Sequence, residues 1–201
     1  MSKSAVQRAR RIFHEHNGLM ATKETLEAGI QSRTLYAMRD EGLLERVSRG
    51  RYRLAELPPL SNPDLATVAL RVPKGVICLL SALAFHELTT QIPHEVYVAL
   101  ARGSEEPRIE NPPVRIFKFS GKAFTEGVED HEVDGIKVRI YGPAKTIADC
   151  FKFRNKLGMD VALEALKLHQ KTTRFDVNEL MYFARVCQVE NVIRPYVEAM
   201  L

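Results

Sequence analysis

Arg33, Tyr36 and Ala37, with Ser32 ahead of them and Thr34 and Arg39 on the flanks, are the first residues whose types and spacing could do chemistry. Winding residues 33–41 at about 100° per residue turns Leu35 and Met38 to one side and Arg33, Tyr36, Ala37 and Asp40 to the other. On the polar side, arginine can bond guanine in bidentate fashion, threonine and alanine methyls can touch thymine, and tyrosine or serine can hold phosphate. A solvated helix face would carry the same charges, so the helix alone does not decide the matter. The segment after the helix carries more weight: Arg46, Arg49, Arg51 and Arg53 are spread over two short alternating stretches, a pattern suited to phosphate or minor-groove contact.

The elements that must position these groups are legible around them. Thr22 can cap a helix that Ala28-Gly29 ends, and Thr22 and Lys23 at its start join the candidate DNA contacts. Ser32 can cap a second helix, from Arg33 to Glu41, that stops at Gly42. Two helices split by a tight glycine-containing turn are the unit that lays its second helix in a DNA groove. Leu44–Val47 and Arg51–Leu54 then alternate like strands about Ser48-Arg49-Gly50, which has hairpin-turn chemistry. Tyr52 and Leu54 are expected to pack inward. The pattern predicts a winged helix-turn-helix over residues 1–57, opened by a helix that Ser4 caps and whose Val6, Ala9, Ile12 and Phe13 share one apolar face.

Charge placement agrees with this. Of the net +4, the whole excess lies in residues 1–56, which hold 11 Lys/Arg against 7 Asp/Glu. A basic module beside a balanced remainder is the electrostatic footprint of a nucleic-acid reader. With 201 residues, 45% of them hydrophobic, the chain is long enough for two cores. The most apolar stretch, Val76–Phe85, falls short of a membrane span of about 18 residues. The expected setting is the cytoplasm, with no membrane partner.

Leu57-Pro58-Pro59-Leu60-Ser61-Asn62-Pro63 breaks both helix and strand, and residues 58–63 are expected to be a linker. Beyond it, residues 64–201 predict an α+β domain, a small mainly antiparallel sheet with packed helices. Its expected elements are a helix to about Arg71, a Ser81-capped helix through Leu88, strands Glu95–Leu100, Val114–Phe119, Val128–Val133 and Ile136–Tyr141, and four helices from Pro143 onward. Asp134-Gly135 between the last two strands is a strong hairpin signal.

No catalytic pattern stands out in this second domain, and neither cofactor nor metal is expected. Ser120-Gly121-Lys122 lacks the preceding glycine of a phosphate loop. Asp134 with Lys137 resembles a nuclease pair only superficially, because Asp-Gly is explained by the turn. His14, His16, His86, His94, His131 and His169 have no metal-ligand spacing. Cys78, Cys150 and Cys187 are expected to be buried, reduced thiols. Lys145, Asp149, Lys152 and Arg154 are expected to form a charged surface beside an apolar helix face, a candidate partner contact that an ordinary solvated face explains better.

Several segments together resemble the AbiEi antitoxins of bacterial type IV toxin-antitoxin systems, which are associated with phage abortive infection. The segments are TKETLEAGI and VSRGRYRL in the first part, then GVICLLSALAFHELT, PHEVYVAL and VRIYGPAKTIADCFKFRNKLGMDVALEALK. The first two are generic to winged helices, whereas YGPAKTIADCF with a long helix after it is more specific. The resemblance implies a transcriptional autorepressor that assembles cooperatively on double-stranded operator DNA. It further implies that the C-terminal domain counters a cognate nucleotidyltransferase-like toxin. Two other readings of the residues stay open: a winged-helix regulator whose C-terminal domain senses a ligand or mediates assembly, and a nucleic-acid enzyme dependent on Asp134.

Overall fold

The structure, a computed structural model, describes residues 3–200. It is mixed α+β and divides into two compact units, one of Met1–Arg71 with Glu132–Ile136, the other of Val72–His131 with Lys137–Leu201.

In the first unit the order is α1 (Lys3–Glu15), β1 (Leu19–Ala21), α2 (Thr22–Glu27), α3 (Ser32–Asp40), β2 (Leu44–Ser48), β3 (Arg51–Leu54) and α4 (Pro63–Arg71). Both short helices after β1 end on the same device. Gly29, at φ +82°, lets Ile30 N–H reach Thr25 O and its own N–H reach Leu26 O; Gly42, at φ +73°, does the same for Leu43 with Met38 and for itself with Arg39. Left-handed backbone at that position satisfies the last carbonyls of a helix, and glycine adopts it without steric cost. The helix starts lie one residue earlier than the sequence suggests. Ala21 and Gln31 occupy the cap positions, so Thr22 and Ser32 are the first helical residues, and Ser4 lies within α1. The Thr22 hydroxyl is diverted to Gly50 O at 3.1 Å.

β1, a strand too short to leave a sequence pattern, pairs antiparallel with β3, which pairs antiparallel with β2. β3 is therefore the central strand. Phe13, Met20, Leu35, Met38, Tyr52 and Leu54 are buried together with Ala9 and Ile12 of α1, each large apolar side chain contributing about 1.5–3 kcal/mol on burial. The helix after the proline-rich segment belongs here too: α4 packs on β2, so the compact boundary falls after Arg71, beyond the linker at 58–63.

The second unit carries β4 (Val76–Ile77), α5 (Leu79–Phe85), β5 (Val96–Ala101), β6 (Val114–Phe119), α6 (Lys122–Thr125), β7 (Val128–Val133) and β8 (Ile136–Tyr141). The helices α7 (Pro143–Lys152), α8 (Arg154–Leu157), α9 (Met159–Gln170), α10 (Val177–Val186) and α11 (Glu190–Glu198) complete it. The sheet order is β6-β5-β4-β8-β7. It is mixed, in contrast to the mainly antiparallel sheet that the sequence suggests: β4 runs antiparallel to β5 but parallel to β8, and β5 runs parallel to β6. The reason lies in the connections: a long loop separates β5 from β6 and allows the crossover that a tight turn forbids, and β4 and β8 lie far apart in the chain.

Ser81, expected as a helix cap, is buried inside α5. Its Oγ accepts the Tyr97 N–H at 3.0 Å and faces Glu95 O at 3.4 Å, tying the helix to the start of β5. α7 touches α5, α9, α10 and α11 and is surrounded by them. All three cysteines are free and buried. No helix among the described residues is long and apolar enough to cross a membrane.

Candidate functional site

The basic constellation is built on α3 and the β2–β3 hairpin. Leu35 and Met38 are fully buried, which turns Arg33, Tyr36 and Arg39 outward; Tyr36 keeps 41% of its surface and Thr34 and Ala37 are half-buried beside it. Arg39 lies 5.1 Å from the Tyr36 ring centre and is forked onto Asp40 Oδ1 at 2.6 and 2.8 Å. Its guanidinium is thus partly committed within the helix. Ser32 is exposed at the helix start. On α2, Lys23 is exposed and forms an (i, i+4) pair with Glu27 at 3.7 Å.

At the hairpin, Ser48 pairs with Arg51 across the turn Arg49-Gly50, and a register shift between Arg46 and Ser48 marks a bulge. Gly50 takes φ +72°, and its carbonyl receives both the N–H and the hydroxyl of Thr22. These two bonds fix the hairpin tip against the start of α2. Arg49 and Arg46 are exposed and Arg51 half-buried; Arg46 Nε reaches Ser48 O at 3.3 Å. The side chains of Arg33, Arg49 and Arg51 make no hydrogen bond or ion pair among the described residues.

Arg53 departs from the expectation. It retains only 6% of its surface, donates to Glu45 Oε1 at 2.6 Å from across the strand pair, and donates to Pro58 O. Strand alternation puts it on the same side as Arg51, but its place on the central strand, with Pro58 folded over it, commits its guanidinium inside the unit and leaves it unexposed, unlike the other arginines of the hairpin.

Neither a protein-family model nor a curated protein matches the chain.

The charged surface expected on α7 does not exist. Lys145 and Asp149 are wholly buried and bonded to each other at 2.5 Å, with Lys145 Nζ 4.1 Å from the Tyr141 ring centre and 5.0 Å from that of Phe119. The other Asp149 oxygen accepts from Cys187 Sγ at 3.1 Å. Burial pushes the Asp149 carboxyl and the Cys78, Cys150 and Cys187 thiols upward. Arg154 is half-buried, with Nη1 on Phe151 O at 2.8 Å, and only Lys152 is exposed. The four residues share no surface. Asp134 is likewise spoken for: it sits at φ +53° in its turn, and its Oδ2 accepts from the N–H and hydroxyl of Ser61.

A group that spacing could not reveal comes together elsewhere in the second unit. His86, at the end of α5, and Glu129 and His131, on β7, place potential ligand atoms all within 4.8 Å of one another. His86 and Glu129 are far apart in the chain, so only the fold joins them. The one signal in the sequence is the Glu-x-His spacing, which puts both side chains on the same side of a strand.

Proposed function

We propose that the first unit is a winged helix-turn-helix that binds double-stranded operator DNA, and that the chain is a repressor and antitoxin of the AbiEi kind. The observation that carries the reading is the set of uncommitted guanidiniums of Arg33 on α3 and of Arg49 and Arg51 on the hairpin, in the part of the chain that holds the whole charge excess. In this reading α3 enters the major groove with Arg33 reading a base edge, Ser32, Thr34, Tyr36 and Ala37 lining the contact, and Arg39 on its flank. The hairpin, with Arg46, Arg49 and Arg51, lies along the adjacent backbone. Thr22 bonded to Gly50 supports a fixed geometry between the hairpin tip and α2.

The second unit is proposed to counter a nucleotidyltransferase-like toxin by binding, not by catalysis. Its support is the resemblance of YGPAKTIADCF and the helix after it. Because Lys145 and Asp149 of that motif are core residues, the toxin must meet other surfaces of the unit. The reading is tested by DNA binding of paired variants. Arg33→Ala should relax sequence preference at one base position, at a cost of about 1–3 kcal/mol. Arg49→Ala should weaken all DNA alike and lower the salt slope by about one counterion. Unchanged affinity in both would remove α3 and the hairpin as the interface.

A further inference from the structure

His86, Glu129 and His131 are gathered as a ligand set is gathered. Glu129 and His131 are alternate residues of β7, so their side chains leave the same face of the strand. His86 closes α5, which is stopped by Glu87 at φ +58°. All three are half-buried, and Phe85 walls the group on one side with its ring 4.8 Å from that of His131 and 5.3 Å from that of His86.

We infer that His86, Glu129 and His131 form a binding site for a divalent transition metal of the zinc class, with three protein ligands and a fourth position left to water. Two imidazoles and a carboxylate are a donor set that zinc takes readily. Ligand atoms 2.0–2.1 Å from a tetrahedral ion stand about 3.4 Å apart; His131 Nε2 and Glu129 Oε2, now hydrogen-bonded at 3.0 Å, are close to that separation, and the ion would take the place of the proton between them. No separation among the three ligand atoms exceeds 4.8 Å.

The surroundings supply what metal ligands use to hold their orientation. His86 Nε2 lies 2.9 Å from Tyr141 O, and since a carbonyl only accepts, that nitrogen carries the proton and the lone pair stays on Nδ1. A ligating histidine ordinarily gives its other N–H to such a carbonyl. Glu129 Oε1 accepts from Arg174 Nη2 at 3.1 Å, leaving Oε2 toward His131.

The test uses the full chain without a histidine tag, stripped with chelator and dialysed. Zinc is titrated in by calorimetry, and bound metal is counted by elemental analysis after gel filtration. One zinc per chain is expected, with a higher unfolding temperature. His131→Gln and Glu129→Gln, each checked for native circular dichroism, should weaken zinc about tenfold or more. Failure of the parent chain to retain zinc would overturn the proposal, as would full stoichiometry and affinity in a folded His86→Gln/His131→Gln double variant.

Discussion

Lys145 Nζ stands 2.5 Å from Asp149 Oδ2, one helical turn apart on α7, and neither residue exposes any surface. Each ion costs several kcal/mol to desolvate, which the pair recovers only because its remaining valences are also used. Tyr141 and Phe119 face the ammonium with their rings, and Cys187 donates to the second carboxylate oxygen. The pair therefore acts as a conditional element of the core: neutral when complete, costly when halved.

Lys145→Ala leaves the Asp149 carboxyl buried without its cation and is expected to destabilise the chain by about 3–5 kcal/mol. Lys145→Met with Asp149→Leu, which removes both charges at similar volume, should recover most of that loss. Urea unfolding of the two variants beside the parent chain measures it, and equal stability of single and double variants would contradict the role.

Ser81→Ala should cost about 1–3 kcal/mol, the penalty for leaving the buried Tyr97 N–H without an acceptor. A surface serine or a helix cap exposed to water would show less. The same unfolding measurement decides it.

Glu164 predicts a pH dependence. Thr90, through its hydroxyl at 2.7 Å and its N–H at 3.2 Å, and the Thr89 hydroxyl at 2.9 Å favour the ionised carboxylate and hold its pKa below the usual glutamate range. A depressed folded-state pKa gives stability that is complete above the unfolded value of about 4.3 and is lost as pH falls through the folded one. Glu164→Gln should therefore cost roughly 1 kcal/mol or less at pH 7, given its solvent screening. The gap from the parent should narrow below about pH 4. A gap that widens in acid would contradict this.

Arg53 and Arg49 should separate stability from binding. Arg53→Ala removes the partner of Glu45 and Pro58 from the centre of the small sheet and should lower the unfolding temperature. Arg49→Ala should leave stability within about 0.5 kcal/mol, as surface substitutions do, while weakening DNA. A folded Arg53→Ala that lost DNA affinity as Arg49→Ala does would return Arg53 to the interface.

Local patterns carry most of the first unit. The 3.6-residue period of α3, its two flanking glycines and the alternation of β2 and β3 are all written in neighbouring residues, so helix, turn and hairpin are legible, as is the inward placing of Leu35, Met38, Tyr52 and Leu54. The features that escape the sequence depend on a third element. Arg53 is covered because β1 makes β3 a central strand and Pro58 returns over it. Lys145 and Asp149 have the (i, i+4) spacing of a solvated ion pair, and nothing within α7 says that four other helices surround it. Ser81 precedes an apolar run as a cap would, yet its acceptor role depends on β5. The His86, Glu129 and His131 group requires α5 and β7 to be brought together by the sheet.

The central claim is that α3 and the β2–β3 hairpin read a specific DNA sequence. Its most direct test is a salt-dependent titration of the full chain against the DNA just upstream of its own gene, with a scrambled duplex beside it. The account predicts tight, cooperative binding to the upstream DNA, about a thousandfold or more over the scramble. Weak binding without preference would contradict it.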